Sequence, residues 1–132
     1  PRVRLSFTQP VDAILNNINP TVHVCEWAAT YNAPLYFAQS SSAIFSEPYA
    51  NPYTFGKAMC EETLLFYKKH WGLQFYLMYF YNVYGPHQDF RRKHPPLTGY
   101  LMKTFLQNEI PTLFSDGEQR RDYVYIDDLI NL

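Results

Sequence analysis

Apolar residues recur along this chain with two different periods, and the change of period marks out its elements. From Gln9-Pro10 onward they fall three and four apart, through Ile14, Ile18, Val22, Cys25 and Ala29, with Trp27 between the last two, which predicts an amphipathic helix. Pro20 lies inside that pattern, where its missing N–H and its ring predict a kink or a break. Asn32-Ala33-Pro34 ends the helix, and Leu35-Tyr36-Phe37-Ala38 is a short apolar run of the kind that fills a buried parallel strand. A second helix opens at Asn51-Pro52, a good N-cap followed by a proline at the first helical position. Its stripe is Tyr53, Lys57, Cys60, Leu64, Tyr67 and Trp71, and Gly72 stops it. The aromatic-rich residues 74–80 read as the next strand.

Gly85-Pro86 then turns the chain into a polar loop, 87–96, in which Arg91-Arg92-Lys93 is expected to be solvated. Residues 97–106 predict a helix, 110–114 a short strand before the Asp116-Gly117 turn, and 122–125 another strand, with Asp127 as the N-cap of a last helix. Strands alternating with helices predict an α/β fold, part of a doubly wound parallel sheet in which 36–38 and 75–80 are neighbouring parallel strands.

Composition narrows the class. The 132 residues are 47% hydrophobic and 17% charged, which suits a globular unit rather than a disordered chain. A net charge of −1, with basic residues in short runs, argues against nucleic acid as a partner. No apolar run reaches the roughly 20 residues of a membrane helix, and no signal-peptide pattern opens the chain, so no membrane partner and a cytoplasmic location are expected. Cys25 and Cys60 lack metal-ligand spacing and read as buried thiols, and His23, His70, His87 and His94 form no cluster, so no metal is expected.

The chemistry is concentrated in four stretches. The second helix carries Tyr53 and Lys57 one turn apart on one face, and an ammonium beside a phenol favours the phenolate, making it a usable acid/base. Upstream, the triple serine Ser40-Ser41-Ser42 follows a predicted strand, the end at which open α/β sheets place ligands. Downstream come Phe80-Tyr81-Asn82-Val83-Tyr84-Gly85-Pro86 and Arg120-Arg121-Asp122-Tyr123-Val124-Tyr125, the second offering guanidinium groups suited to gripping phosphate.

In this order the four motifs resemble the extended short-chain dehydrogenase/reductase family, the NAD-dependent nucleotide-sugar epimerases and dehydratases such as the UDP-glucose 4-epimerases, from about Val3 onward. The resemblance implies a partial Rossmann-like sheet with the start of a smaller substrate-binding domain. It assigns residues 1–86 to the C-terminal part of the NAD-binding domain and 87–132 to part of the nucleotide-sugar-binding region. It implies Tyr53, Lys57 and Ser41 as catalytic residues, with Tyr53, Lys57, Asn17 and Phe80 at the cofactor. Ser41, Ser42, Asn82 and Arg121 fall at the substrate, with Asn82 and Arg121 bordering the cleft that holds Tyr53. The cofactor is NAD, with NADP left open, and a homodimer forms through helices 10–31 and 52–70. The activity implied is epimerisation through a transient keto intermediate. Epimerase is preferred over 4,6-dehydratase because the positions after Ser41, where dehydratases place an acid, are Ser42 and Ala43. A reductase of the same family, or a non-catalytic fragment or degenerate homologue, stays open.

Three departures from the family pattern stand out. No Gly-x-x-Gly-x-x-Gly turn for the dinucleotide pyrophosphate occurs among the five glycines, so the chain is expected to be the middle portion of a longer enzyme and inactive in isolation. The segment between Ser46 and Tyr53 is much shorter than the family's loop, which bears on sugar specificity. Tyr79 stands where many relatives carry arginine.

Overall fold

A computed structural model describes residues 3–113 and 116–132, with all their side chains but that of Phe45. The chain forms two compact units, Pro1–Phe80 and Tyr81–Leu132.

The first unit contains α1 (Val3–Thr8), α2 (Pro10–Thr30), β1 (Leu35–Ser40), α3 (Ser42–Phe45), α4 (Pro52–Trp71) and β2 (Phe75–Phe80). Strands β1 and β2 pair in parallel, with Leu35 opposite Phe75 and Ser40 opposite Phe80, as the apolar runs predict. Helices α2 and α4 pack together to build the core from Cys25, Ala28, Leu64, Tyr67 and Leu73, against which Leu35, Phe37, Phe75 and Leu77 of the strands are packed. The strands therefore alternate instead of being apolar on both faces: Tyr36 and Tyr76 point away from this core and stack on each other at 4.9 Å.

Helix α4 is closed at both ends by its own sequence. The Asn51 side chain accepts the Thr54 N–H at 2.9 Å, Pro52 occupies the first turn, and Gly72 ends the helix at φ 70°, a left-handed conformation that glycine adopts at low cost. Lys68, Lys69 and His70 in the last turn complement the helix dipole. The expected stripe is only partly correct. Cys60, Leu64 and Tyr67 are buried, but Trp71 is exposed and rests on Tyr67 and Phe66 at ring distances of 4.8 and 5.6 Å.

Of the kink or break expected at Pro20, the break does not occur: α2 is continuous through it. The physical reason is packing on both sides of the proline. Before it, Ala13 and Asn17 meet Gly56 of α4; after it, Thr21 lies 3.2 Å from the Cys60 sulfur and Cys25 and Ala28 are buried. Such contacts offset a proline cost of about 3 kcal/mol. The buried face runs through Thr21, Cys25 and Ala28 and leaves Trp27 exposed, contrary to the apolar spacing.

Burial pushes the Cys25 thiol up from 9.0 to about 11, with Cys60 adding to the rise. Because the folded state holds this proton more tightly than the unfolded chain, its contribution to stability is complete below pH 9 and is lost as the pH rises through about 11. Urea midpoints measured across that window should fall with pH, and a Cys25→Ala variant should show a shallower fall.

The second unit contains β3 (Asn82–Tyr84), α5 (Leu97–Leu106), β4 (Tyr123–Tyr125) and α6 (Ile126–Ile130). Strands β3 and β4 are parallel, with Asn82 opposite Tyr123. Two expectations fail here. Residues 110–113 are irregular, because the Thr112 N–H donates to the Tyr100 hydroxyl at 2.8 Å rather than to a strand, and Phe114 lies outside the described residues. The N-cap of α6 is Tyr125 in extended backbone, so Asp127 sits inside the first turn, where its charge still suits the dipole.

Candidate functional site

Tyr53 is held on the first turn of α4 by the Asn51–Pro52 cap and lines a cleft of about 300 Å³ of mixed character, with the apolar Leu5 and Ala13 beside Ser6, Gln9, Asp12, Asn16 and Asn17 of α1, α2 and the bend between them. Its hydroxyl makes no hydrogen bond among the described residues, so it can reach a ligand without giving up a protein partner. Asn17, the position expected at the cofactor, lines the same cleft. Its Nδ2 donates to the Ala13 carbonyl at 2.6 Å, which fixes the carboxamide and leaves Oδ1 available as an acceptor.

The close approach of α2 and α4 is made at Gly56, between Tyr53 and Lys57. A Cβ there would stand 3.2 Å from the Ala13 carbonyl and 3.5 Å from Asn17. Gly56→Val should therefore push the helices apart beside the cleft, lowering stability by about 1–3 kcal/mol. Chemical denaturation checks this; an unchanged midpoint would mean that the helices separate freely.

Lys57 lies one turn after Tyr53. Its ammonium donates to the Ala38 carbonyl of β1 at 3.0 Å and stands 5.3 Å from the centre of the Phe37 ring. Burial lowers its pKa from 10.5, with a smaller opposing effect from Cys60. Ser41 follows β1 directly: its N–H donates to the Phe80 carbonyl at 3.1 Å, joining the serine turn to the end of β2 and bringing Ser41 beside Phe80. The Ser40 and Ser42 hydroxyls bond each other at 2.8 Å, whereas the Ser41 hydroxyl has no hydrogen-bond partner among the described residues.

Asn82 and Arg121 belong to the second unit, where both line a cavity of about 550 Å³ with Lys93, Tyr100, Gln119 and Tyr123. The Asn82 side chain donates to the Asp122 carbonyl at 2.8 Å, and an Arg121 Nη donates to the Arg120 carbonyl at 2.8 Å. Two cations therefore face one cavity. Lys93, read from sequence as solvated, and His94 after it are on its wall; a short basic run beside a proline pair gives no periodic signal that could have placed them there.

A family model described as the NAD dependent epimerase/dehydratase family matches residues 1–132. A putative UDP-glucose 4-epimerase of Methanocaldococcus jannaschii is 29% identical over 140 residues, covering 96% of this chain and 46% of that protein. The structure is similar to that of a UDP-N-acetylglucosamine 4-epimerase from Methanobrevibacter ruminantium in complex with UDP-N-acetylmuramic acid, with a TM-score of 0.89 and 26% identity. It is also similar to a UDP-glucose 4-epimerase from Thermotoga maritima with UDP-glucose, with a TM-score of 0.87 and 27% identity. Both matches cover 98% of this chain and 46% of the other, so the chain spans slightly less than half the length of these relatives. With its parallel strands, its helix pair and a family match over its whole length, the chain belongs to the NAD-dependent epimerase/dehydratase family, and its fold is part of the Rossmann-like sheet of that family.

Proposed function

We propose that the protein carrying this chain epimerises a nucleotide-activated sugar through a transient keto intermediate, using NAD. The observation that carries this reading is that Tyr53 lines a cleft with its hydroxyl free of hydrogen-bond partners among the described residues, and that Lys57 follows one helical turn later on α4.

The residues present fit a nicotinamide nucleotide. The Lys57 ammonium uses one of its three N–H groups on Ala38, leaving two for ribose hydroxyls, and Asn17 presents an acceptor to the cleft. Phe80, at the end of β2, is assigned to the nicotinamide side. When bound, NAD takes up the carbon-bound hydrogen of the sugar as hydride and returns it. Tyr53 as phenolate takes the hydroxyl proton during oxidation and gives it back on reduction. Lys57 holds the cofactor ribose, and Ser41 orients the sugar hydroxyl by donating to its oxygen. Ser42 braces the turn through Ser40 and contacts the substrate from there. Asn82 and Arg121 take the diphosphate, the guanidinium by paired hydrogen bonds. Inversion of the centre would require the keto sugar to turn its opposite face to the nicotinamide before Tyr53 gives the proton back.

Epimerisation is favoured over dehydration because Ser42 and Ala43 offer no acid to protonate a departing hydroxyl. Mixing the complete protein with a UDP-hexose should produce reduced-nicotinamide absorbance that rises and returns to baseline. A rise that persists would mark net oxidation instead. Residues 1–132 expressed alone, without a Gly-rich pyrophosphate turn, are expected to be inactive.

Homodimerisation through α2 and α4 belongs to the same proposal. Val11, Leu15 and Trp27 of α2 and Leu65, Phe66 and Trp71 of α4 are large apolar side chains left exposed. Light scattering on the complete protein should give a dimer that Phe66→Glu dissociates; a monomer at micromolar concentration would contradict the pairing. Among the described residues no helix is long and apolar enough to cross a membrane, in keeping with a cytoplasmic enzyme.

A further inference from the structure

A buried polar cluster outside the proposed chemistry joins β1, β2 and α4. Gln39 is only 2% exposed, on the face of β1 that also carries Leu35 and Phe37, where strand alternation calls for an apolar side chain. A buried carboxamide persists only where its polar atoms find partners. Its Nε2 donates to the Lys57 carbonyl at 3.0 Å and to Glu61 Oε2 at 3.2 Å, and its Oε1 accepts the Ser40 N–H at 3.0 Å. Tyr79, the register partner of Gln39 on β2, donates its hydroxyl to the other oxygen of Glu61 at 3.0 Å. The departure at Tyr79 thus has a defined partner: two neutral donors from adjacent strands hold the two oxygens of one carboxylate, and that carboxylate lies one helical turn after Lys57.

The atoms that Gln39 engages belong to the two segments on which the proposed chemistry depends. One is the main chain of Lys57. The other is the N–H at the start of the serine turn, where Ser40 Oγ also accepts the Ser42 N–H at 3.3 Å. We infer that Gln39, clamped by Glu61 and Tyr79, is a positioning residue that fixes the serine turn against the Lys57 turn of α4, so that Ser41 and the Tyr53–Lys57 pair keep one spacing. Its consequence for turnover rests on the epimerase reading above; the clamp itself is a property of the first unit.

Gln39→Met keeps the side-chain length and removes all three hydrogen bonds. In the complete protein it should lower kcat about tenfold or more while KM for a UDP-hexose stays within about twofold, because misplacement of a catalytic group acts mainly on the transition state. It should also speed hydrogen exchange at the Ser40 and Ser42 amides about tenfold, since exchange reports local opening. Tyr79→Phe, which loosens only Glu61, should move both readouts in the same direction and less. Leu64→Val, a core change that lowers Tm, should leave kcat and the serine-turn exchange unchanged. Unchanged exchange at Ser40 and Ser42 in Gln39→Met would overturn the clamp, as would a kcat loss matched by Leu64→Val at equal loss of Tm. Tyr53→Phe measured alongside separates the two claims: full activity in that variant defeats the epimerase reading, while the exchange readout still decides the clamp.

Discussion

Replacing Tyr53 by Phe in the complete protein is expected to lower turnover roughly a hundredfold or more while leaving the fold intact. The change removes only the oxygen proposed to carry the proton. That oxygen has no hydrogen-bond partner among the described residues, so its loss orphans no buried group, and stability should stay within about 0.5 kcal/mol of the parent. Steady-state kinetics together with thermal melts check both halves. Full activity would remove Tyr53 from the chemistry, and a large loss of Tm would show that the hydroxyl is structural.

The second large effect is expected at Lys57. Lys57→Met keeps an unbranched apolar stem against Phe37 and removes the ammonium, which should reduce kcat/KM by roughly a hundredfold and weaken NAD binding measured by fluorescence titration. Lys57→Arg should not restore activity, because a planar guanidinium cannot reproduce a compact ammonium that serves Ala38 and a ribose together. The sign of the pH dependence follows from burial. Since burial lowers the Lys57 pKa from 10.5, the ammonium is lost at a lower pH than in the unfolded chain, and the alkaline fall in kcat/KM should begin below 10.5. An Arg variant with parental activity would show that only a positive charge is needed there.

Much of this arrangement can be read from local sequence because local chemistry produces it. Asn51, Pro52 and Gly72 define α4 with no help from the rest of the chain, and the spacing of Tyr53 and Lys57 on it follows. The parallel pairing of β1 and β2 follows from two apolar runs separated by a helix. Failures occur where a distant partner decides. Pro20 stays inside α2 because α4 grips the helix on both sides of it. Residues 110–113 do not form a strand, because Tyr100 of α5, twelve residues before Thr112 and revealed as a partner by no periodicity, takes the Thr112 amide. Gln39, between the apolar run and the triple serine, carries no local mark of burial, yet it is buried through contacts with Lys57 and Glu61, far along the chain. Lys93 is exposed, in keeping with its reading as a solvated charge, and what local sequence does not show is its place on a cavity wall with Arg121 in the folded second unit.

Inversion without net oxidation is the central claim, and proton NMR of a UDP-hexose incubated with the complete protein and NAD tests it most directly. The expected result is a second signal set, that of the epimer, growing to a constant ratio that is reached equally from either epimer, with no net consumption of NAD. Formation of a 4-keto-6-deoxy sugar, or an unchanged spectrum across a panel of UDP- and dTDP-hexoses, would contradict it.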